Sequence, residues 1–223
     1  MENNYYDQSL NAVKLYQVYQ TKIDRVEQFL SAEIKFVRDQ LNQNEHILEL
    51  GAGYGRIMKE LAPAVASITG IDISQGSVEF GREYLKDCPN CTLEVMDVHQ
   101  LTFDRPFDVV LCLQNGLSAI KGDALSVVQQ SINLLTDHGR AFFSSYSPKF
   151  WSHRLAWFQE QAEKGLLGEI DLDQSKDGKI ICKDGFVATT FTPDDLVQLG
   201  QASGHPYRIV EVDESSNFLI IEK

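Results

Sequence analysis

Residues 47–56 read Ile47-Leu48-Glu49-Leu50-Gly51-Ala52-Gly53-Tyr54-Gly55-Arg56, and the reading of this stretch decides the fold. An apolar run ends in an acid and a glycine-rich turn follows. Ile57, Met58 and Leu61 then mark one side of an amphipathic helix, with Lys59 and Glu60 on the other. A strand feeding such a turn gathers backbone N–H groups and a helix N-terminus around an open pocket. Glycine lets a ligand approach that backbone closely. The spacing is Gly-x-Gly-x-Gly with Glu49 two residues ahead, not the Gly-x-Gly-x-x-Gly of dinucleotide-binding turns.

Downstream of this turn, strand and helix signals alternate. Residues 67–73, 92–97 and 107–113 read as strands, and 140–145 as a fifth after the turn Asp137-His138-Gly139. Helical patterns fall at about 77–85 and 123–135. Such alternation predicts a doubly wound α/β sheet, mostly parallel and covered on both faces. Ligands bind such sheets at the carboxyl ends of the strands, near the point where strand order reverses. Glu49, Asp72, Asp97 and Gln114-Asn115 all fall at those ends, and their convergence predicts a site.

Upstream, Tyr16, Tyr19, Ile23, Val26, Leu30, Ile34, Val37 and Leu41 recur at steps of three or four. They predict a helical cover over residues 1–42, either one long helix or a broken pair, whose stripe packs on the domain core or else forms a coiled coil. Tyr5-Tyr6-Asp7 reads as a flap over the site or as plain surface. Residues 147–191 interrupt the alternation with a helix from Trp151 to Lys164. Two β-rich pieces follow, 179–182 and 186–191, split by Lys183-Asp184-Gly185, a hairpin signal. This insertion predicts a cap that shapes a second pocket, or a dimerisation hairpin. Thr192-Pro193-Asp194-Asp195 opens a last helix that Gly204 stops. Strands at 208–212 and 217–222 then pair antiparallel across a short link.

The 223 residues suit one domain. With 32 acidic against 20 basic side chains, the formal net charge is −12, which argues against nucleic-acid partners. The N-terminus lacks a signal-peptide pattern and no apolar run reaches membrane-spanning length, so a cytoplasmic protein with no membrane partner is expected. Cys88-Pro89-Asn90-Cys91 has no matching second pair for zinc and reads as a loop with two thiols; no metal site is expected.

Taken in order, these motifs resemble the class I S-adenosylmethionine-dependent methyltransferases, over roughly residues 45–145 and the closing helix and hairpin. The resemblance implies a Rossmann-like, mostly parallel seven-stranded sheet with a C-terminal antiparallel strand, and S-adenosyl-L-methionine as cofactor. It places Glu49, Gly51, Ala52, Gly53 and Arg56 at the methionine moiety. Asp72 then meets the ribose hydroxyls with Ile73 beside the adenine, and Asp97 with Val98 meets the adenine amino group. Leu113 and Gln114 fall near the methyl group. The fourth-strand end departs from the Asn/Asp-Pro-Pro-Tyr of base and glutamine methylases, and Cys112 lacks the Pro-Cys context of cytosine methylases. A small-molecule acceptor methylated on N or O by direct displacement is therefore the expectation.

Positioning carries most of such a reaction, and a base is needed only if the acceptor holds its proton. His99, Asn115 and Tyr146 are the candidate catalytic residues. Tyr146, Trp151, His153 and Arg154 are candidate walls of the acceptor pocket. Rival expectations are a protein substrate, a nicotinamide-dependent oxidoreductase and a non-catalytic adenosyl-ligand binder. A homodimer is a further possibility.

Overall fold

A computed structural model describes residues 12–223; the Tyr5-Tyr6-Asp7 segment lies outside the described residues. The N-terminal stripe forms a broken pair of helices, α1 (Ala12–Val18) and α2 (Asp24–Arg38). The break between them is pinned from afar. Glu160 accepts from the Thr21 hydroxyl at 2.7 Å and from the Lys22 amide at 3.1 Å.

The alternation follows as β1 (His46–Leu50), α3 (Arg56–Leu61), β2 (Ser67–Asp72), α4 (Gln75–Tyr84), β3 (Cys91–Val95), β4 (Phe107–Cys112), α5 (Gly116–Ile120), α6 (Ala124–Asn133) and β5 (Leu135–Tyr146). β5 starts five residues before the expected Arg140. His138, at φ +68°, turns the chain inside this run, and the register with β4 slips between Phe107 and Val109. The insertion forms α7 (Trp151–Glu163) and a small hairpin of β6 (Ile180–Ile181) and β7 (Val187–Ala188). Then come α8 (Pro193–Ser203), β8 (Tyr207–Val212) and β9 (Ser216–Glu222).

The main sheet has seven strands in the order β3-β2-β1-β4-β5-β9-β8. β1 to β5 pair parallel, and β9 pairs antiparallel with both β5 and β8. Strand order reverses between β1 and β4. The carboxyl end of β1, where the glycine turn begins, therefore faces an open crevice.

Both sheet faces are apolar because successive side chains of a buried strand point opposite ways and each face needs a cover. One face sets Ile47, Val109, Leu111 and Phe142 against Ile34 and Val37 of α2 and Met58 and Leu61 of α3. The other sets Leu48, Val110, Phe143 and Leu219 against Val127, Val128 and Ile132 of α6 and Leu196 of α8. A third cluster joins the N-terminal helices to the insertion: Val26, Phe29 and Leu30 pack with Phe150, Trp157, Ile180 and Phe186. Each such side chain contributes about 1.5–3 kcal/mol of burial. The hairpin's apolar side chains Ile180, Cys182, Phe186 and Ala188 are thus consumed inside the chain. Among the described residues no helix is long and apolar enough to cross a membrane.

Candidate active site

The glycine turn is left-handed at all three glycines, with φ +68° at Gly51, +56° at Gly53 and +82° at Gly55. A β-carbon on Gly53 would lie 2.8 Å from the Leu15 side chain, and one on Gly55 2.5 Å from Leu85. The turn is laced to the neighbouring strand: Ala52 N–H donates to the Ile71 carbonyl at 2.9 Å, and Gly53 N–H to Asp72 Oδ2 at 2.8 Å. Asp72 Oδ1 accepts from Ser74 N–H at 2.9 Å, so this carboxylate ties the turn to the start of α4. Ser74, not Asp72, caps α4, accepting from Ser77 N–H. Asp97 accepts from His99 N–H in a loop where no helix begins, so helix capping does not explain that acid either.

These residues border a cavity of about 180 Å³, an order of magnitude more than the ~10–15 Å³ that holds one water. Glu49, Gly51, Ala52, Gly53, Arg56, Asp72, Ile73, Asp97, Val98, Leu113 and Gln114 all line it, and Tyr146 does too. It also holds buried polar atoms with no hydrogen-bond partner among the described residues: Glu49 Oε2, Arg56 Nε and Nη2, and Gln114 Nε2. Burial pushes the Glu49 carboxyl up to about 8, against the pull of the Arg56 guanidinium. Arg56 sits over the Tyr19 ring, 4.5 Å from its centroid. A buried polar group without a partner is costly, so these groups are arranged for a ligand that brings both hydrogen-bond donors and acceptors.

The structure does not bring every candidate into the cavity. His99 lies outside its lining. The Lys121 carbonyl is 3.1 Å from Nε2 and can only accept, so that nitrogen carries the proton and is no base. Asn115 is buried behind the wall. At φ +63° it turns its amide toward the Thr189 carbonyl, 2.8 Å away, and accepts from Ser145 Oγ at 2.8 Å. Trp151 and His153 also lie outside the lining, with His153 exposed. Arg154 is 1% exposed and donates to the carbonyls of Gly178, Ala188 and Thr189. Its guanidinium stands 4.5 Å from the Tyr146 ring centroid and 5.4 Å from that of Phe158.

Other lining residues come from the two covers: Val18 at the end of α1 and Tyr19 in the turn after it, and Trp157, Phe158, Gln161 and Phe186 from the insertion. The period of the N-terminal stripe places Tyr19 on the inward face but cannot separate core from cavity. Trp157 and Phe158 carry a signal only in being two adjacent large aromatics on one helix.

A methyltransferase-domain family model matches residues 47–139, the segment from β1 through the turn inside β5. Over that segment the chain is similar to methyltransferase domains. Among curated relatives, a ubiquinone biosynthesis O-methyltransferase of Hydrogenovibrio crunogenus is 26% identical over 170 residues, which is 75% of this chain and 66% of the relative. Other curated relatives are matched over about half their length. A methyltransferase structure from Methanosarcina mazei aligns with TM-score 0.61 at 20% identity, covering 84% of this chain and 96% of that one. The DhpI–SAM–HEP complex aligns with TM-score 0.67 at 17% identity over 99% and 98% of the two chains. At these identities the structures establish the methyltransferase-domain fold, which the strand order above also displays.

Proposed function

We propose that this chain is an S-adenosylmethionine-dependent methyltransferase acting on a small-molecule acceptor. One observation carries the reading: beside the glycine turn, a buried carboxyl oxygen of Glu49 and buried guanidinium nitrogens of Arg56 have no hydrogen-bond partner among the described residues. An α-amino acid end group, with its ammonium toward Glu49 and its carboxylate toward Arg56, satisfies both. Asp72 and Asp97, at the ends of the next two strands, supply acceptors for ribose hydroxyls and an adenine amino group. Val98 and the exposed Ile73 flank the adenine with apolar surface. Each charge-assisted hydrogen bond of this kind contributes about 1.5–3 kcal/mol.

When bound, the cofactor supplies an activated methyl on a sulfonium. The chain's part is then to align the acceptor and exclude water. Leu113 and Gln114, held by the Ser144 hydroxyl accepting from Gln114 N–H at 2.7 Å, border the place where the methyl would lie. The acceptor end is closed by the insertion and the N-terminal helices, which favours a small molecule over a protein segment. The relatives named as O-methyltransferases favour oxygen as the acceptor atom.

Calorimetry with S-adenosylmethionine, S-adenosylhomocysteine and NADH tests the reading. Heat with the two sulfur compounds and none with NADH is expected. No binding of either sulfur compound would end it.

A further inference from the structure

Cys88-Pro89-Asn90-Cys91 plays no part in the candidate active site, and the fold has built a tight turn from it where α4 passes into β3. The fixed φ of Pro89 suits the second position of a β-turn. The turn is closed by the Cys91 N–H, which donates to the Cys88 carbonyl at 3.0 Å. Both ends and the middle are anchored. Cys88 N–H donates to the Leu85 carbonyl at 2.8 Å, and Cys91 opens β3 opposite Ile68. Asn90 Nδ2 donates to the Ala62 and Val65 carbonyls at 2.8 and 3.2 Å.

A β-turn holds its first and fourth Cα atoms less than about 7 Å apart, and a disulfide spans about 4.4–6.8 Å. The turn therefore already has the reach of a disulfide. Cys88 and Cys91 are both half-buried and open to a small reagent, whereas Cys112 and Cys182 are 0% and 2% exposed. Among the described residues no third His, Cys, Asp or Glu joins the pair to make a metal site. The two thiols are not equivalent. Cys91 Sγ donates to the Met58 carbonyl at 3.9 Å, and burial together with the nearby Cys88 thiol pushes its pKa up to about 12. The thiolate is the attacking form, so first attack falls to Cys88. Cys91 is held beside it, and that proximity offsets its small thiolate fraction in a second, intramolecular step.

We propose that Cys88 and Cys91 form a reversible dithiol–disulfide site that reacts with low-molecular-weight disulfides. The Cys88 thiolate attacks one sulfur of the reagent, releasing one thiolate and leaving a mixed disulfide. Cys91 gives its proton to water and attacks Cys88 Sγ, which releases the second thiolate. Two protein thiols are oxidised and the reagent is reduced to two thiols. The new bond braces the packing behind the glycine turn. Leu85, whose carbonyl holds Cys88, fills the space that a β-carbon on Gly55 would take, 2.5 Å away, and Met58 Sδ lies 3.3 Å from the same point. Because the turn need not move to close, the disulfide acts by restricting the unfolded chain and stabilises the fold.

The test incubates native protein, freed of reductant, with excess oxidised glutathione at mildly alkaline pH. Free thiols are then alkylated after an acid quench and located by mass spectrometry and peptide mapping. The expected product is lighter than the reduced protein by two hydrogens, retains alkylatable thiols only at Cys112 and Cys182, and is fully restored by dithiothreitol. It should melt at a higher temperature than the reduced protein. Cys91→Ser should stop at a glutathione adduct on Cys88. Persistence of all four thiols in the parent would overturn the proposal, as would a glutathione adduct that survives on its Cys88. A disulfide that includes Cys112 or Cys182, or a Cys91→Ser protein left unmodified, would overturn it too. So would a lower melting temperature on oxidation, since the turn would then have to be distorted to close.

Discussion

Replacing Glu33 by Gln is expected to stabilise the ligand-free protein in a strongly pH-dependent way. Glu33 projects from α2 into the domain and is 1% exposed. Its Oε1 accepts from the Ser216 hydroxyl at 2.6 Å, and its Oε2 is buried without a hydrogen-bond partner. Burial is the largest influence and pushes the carboxyl from 4.5 up to about 7, against the Ser216 hydrogen bond, the nearby Ser144 hydroxyl and the charge of Arg56. The folded protein therefore keeps a proton that the unfolded chain gives up near 4.5. Stability is full below that value and is lost as pH rises through about 7.

At about 1.36 kcal/mol per pH unit, the shift from 4.5 to about 7 amounts to roughly 3 kcal/mol. Most of this falls between roughly pH 5 and roughly pH 9. Glutamine does not titrate, and its side-chain oxygen still accepts from Ser216. Glu49 titrates in both proteins and cancels to first order in the comparison. The stability of Glu33→Gln minus that of the parent should thus grow by roughly 2–3 kcal/mol from acid to alkaline pH. Urea unfolding followed by far-ultraviolet circular dichroism at the two pH values measures it. A difference that does not change with pH would refute the reasoning, whichever variant is the more stable.

Asp72→Ala removes the acceptor of the Gly53 and Ser74 amides and should weaken S-adenosylhomocysteine binding well over tenfold by calorimetry; unchanged affinity would mean the ribose end is misplaced. Glu49, held mostly protonated at neutral pH by burial, should lose its proton when a ligand ammonium arrives. Calorimetry near pH 7 in two buffers of different ionisation heat should then show net proton release in the parent but not in Glu49→Gln, and equal release in both would exclude that role. Thr192→Ala breaks the reciprocal capping box with Asp195 and should cost about 1 kcal/mol, a melting shift of roughly 2–4 °C for a chain of this size. Gly81→Ala would set a β-carbon 2.8 Å from the Tyr54 carbonyl oxygen and should destabilise by about 1–3 kcal/mol; a neutral result would show that α4 can slide off the glycine turn.

The glycine-turn side of the cavity is legible in the sequence because its parts are local. A strand, its terminal acid and the turn that follows are adjacent in the chain, and parallel strands set those ends on one edge. Glu49, Asp72, Asp97 and Gln114 reach the same cavity for that reason. The opposite side of the cavity depends on partners far away in sequence. Asn115 has the right position at a strand end, but its direction is set by the carbonyl of Thr189, 74 residues on. Arg154 looks like a solvent-facing or ligand-facing cation until the insertion folds back and offers it three carbonyls. The break between α1 and α2 likewise has its explanation in Glu160, and no residue near Thr21 announces it. The early start of β5 was hidden by its own turn residues, since Asp137-His138-Gly139 marks a turn whether or not pairing resumes on both sides.

The insertion departs after β5 and rejoins at α8, and the Thr189 carbonyl near its end accepts from Asn115, Ser118 and Arg154 together. None of the carboxylates at the ends of β1 to β3 belongs to it. Residues 147–191 are bound instead to the N-terminal helices, through Glu160 on Thr21 and Lys22 and through Trp157 on the Val18 carbonyl. A change confined to the insertion would therefore reshape the cavity wall and the seat of those helices together, and leave the ends of β1 to β3 as they are.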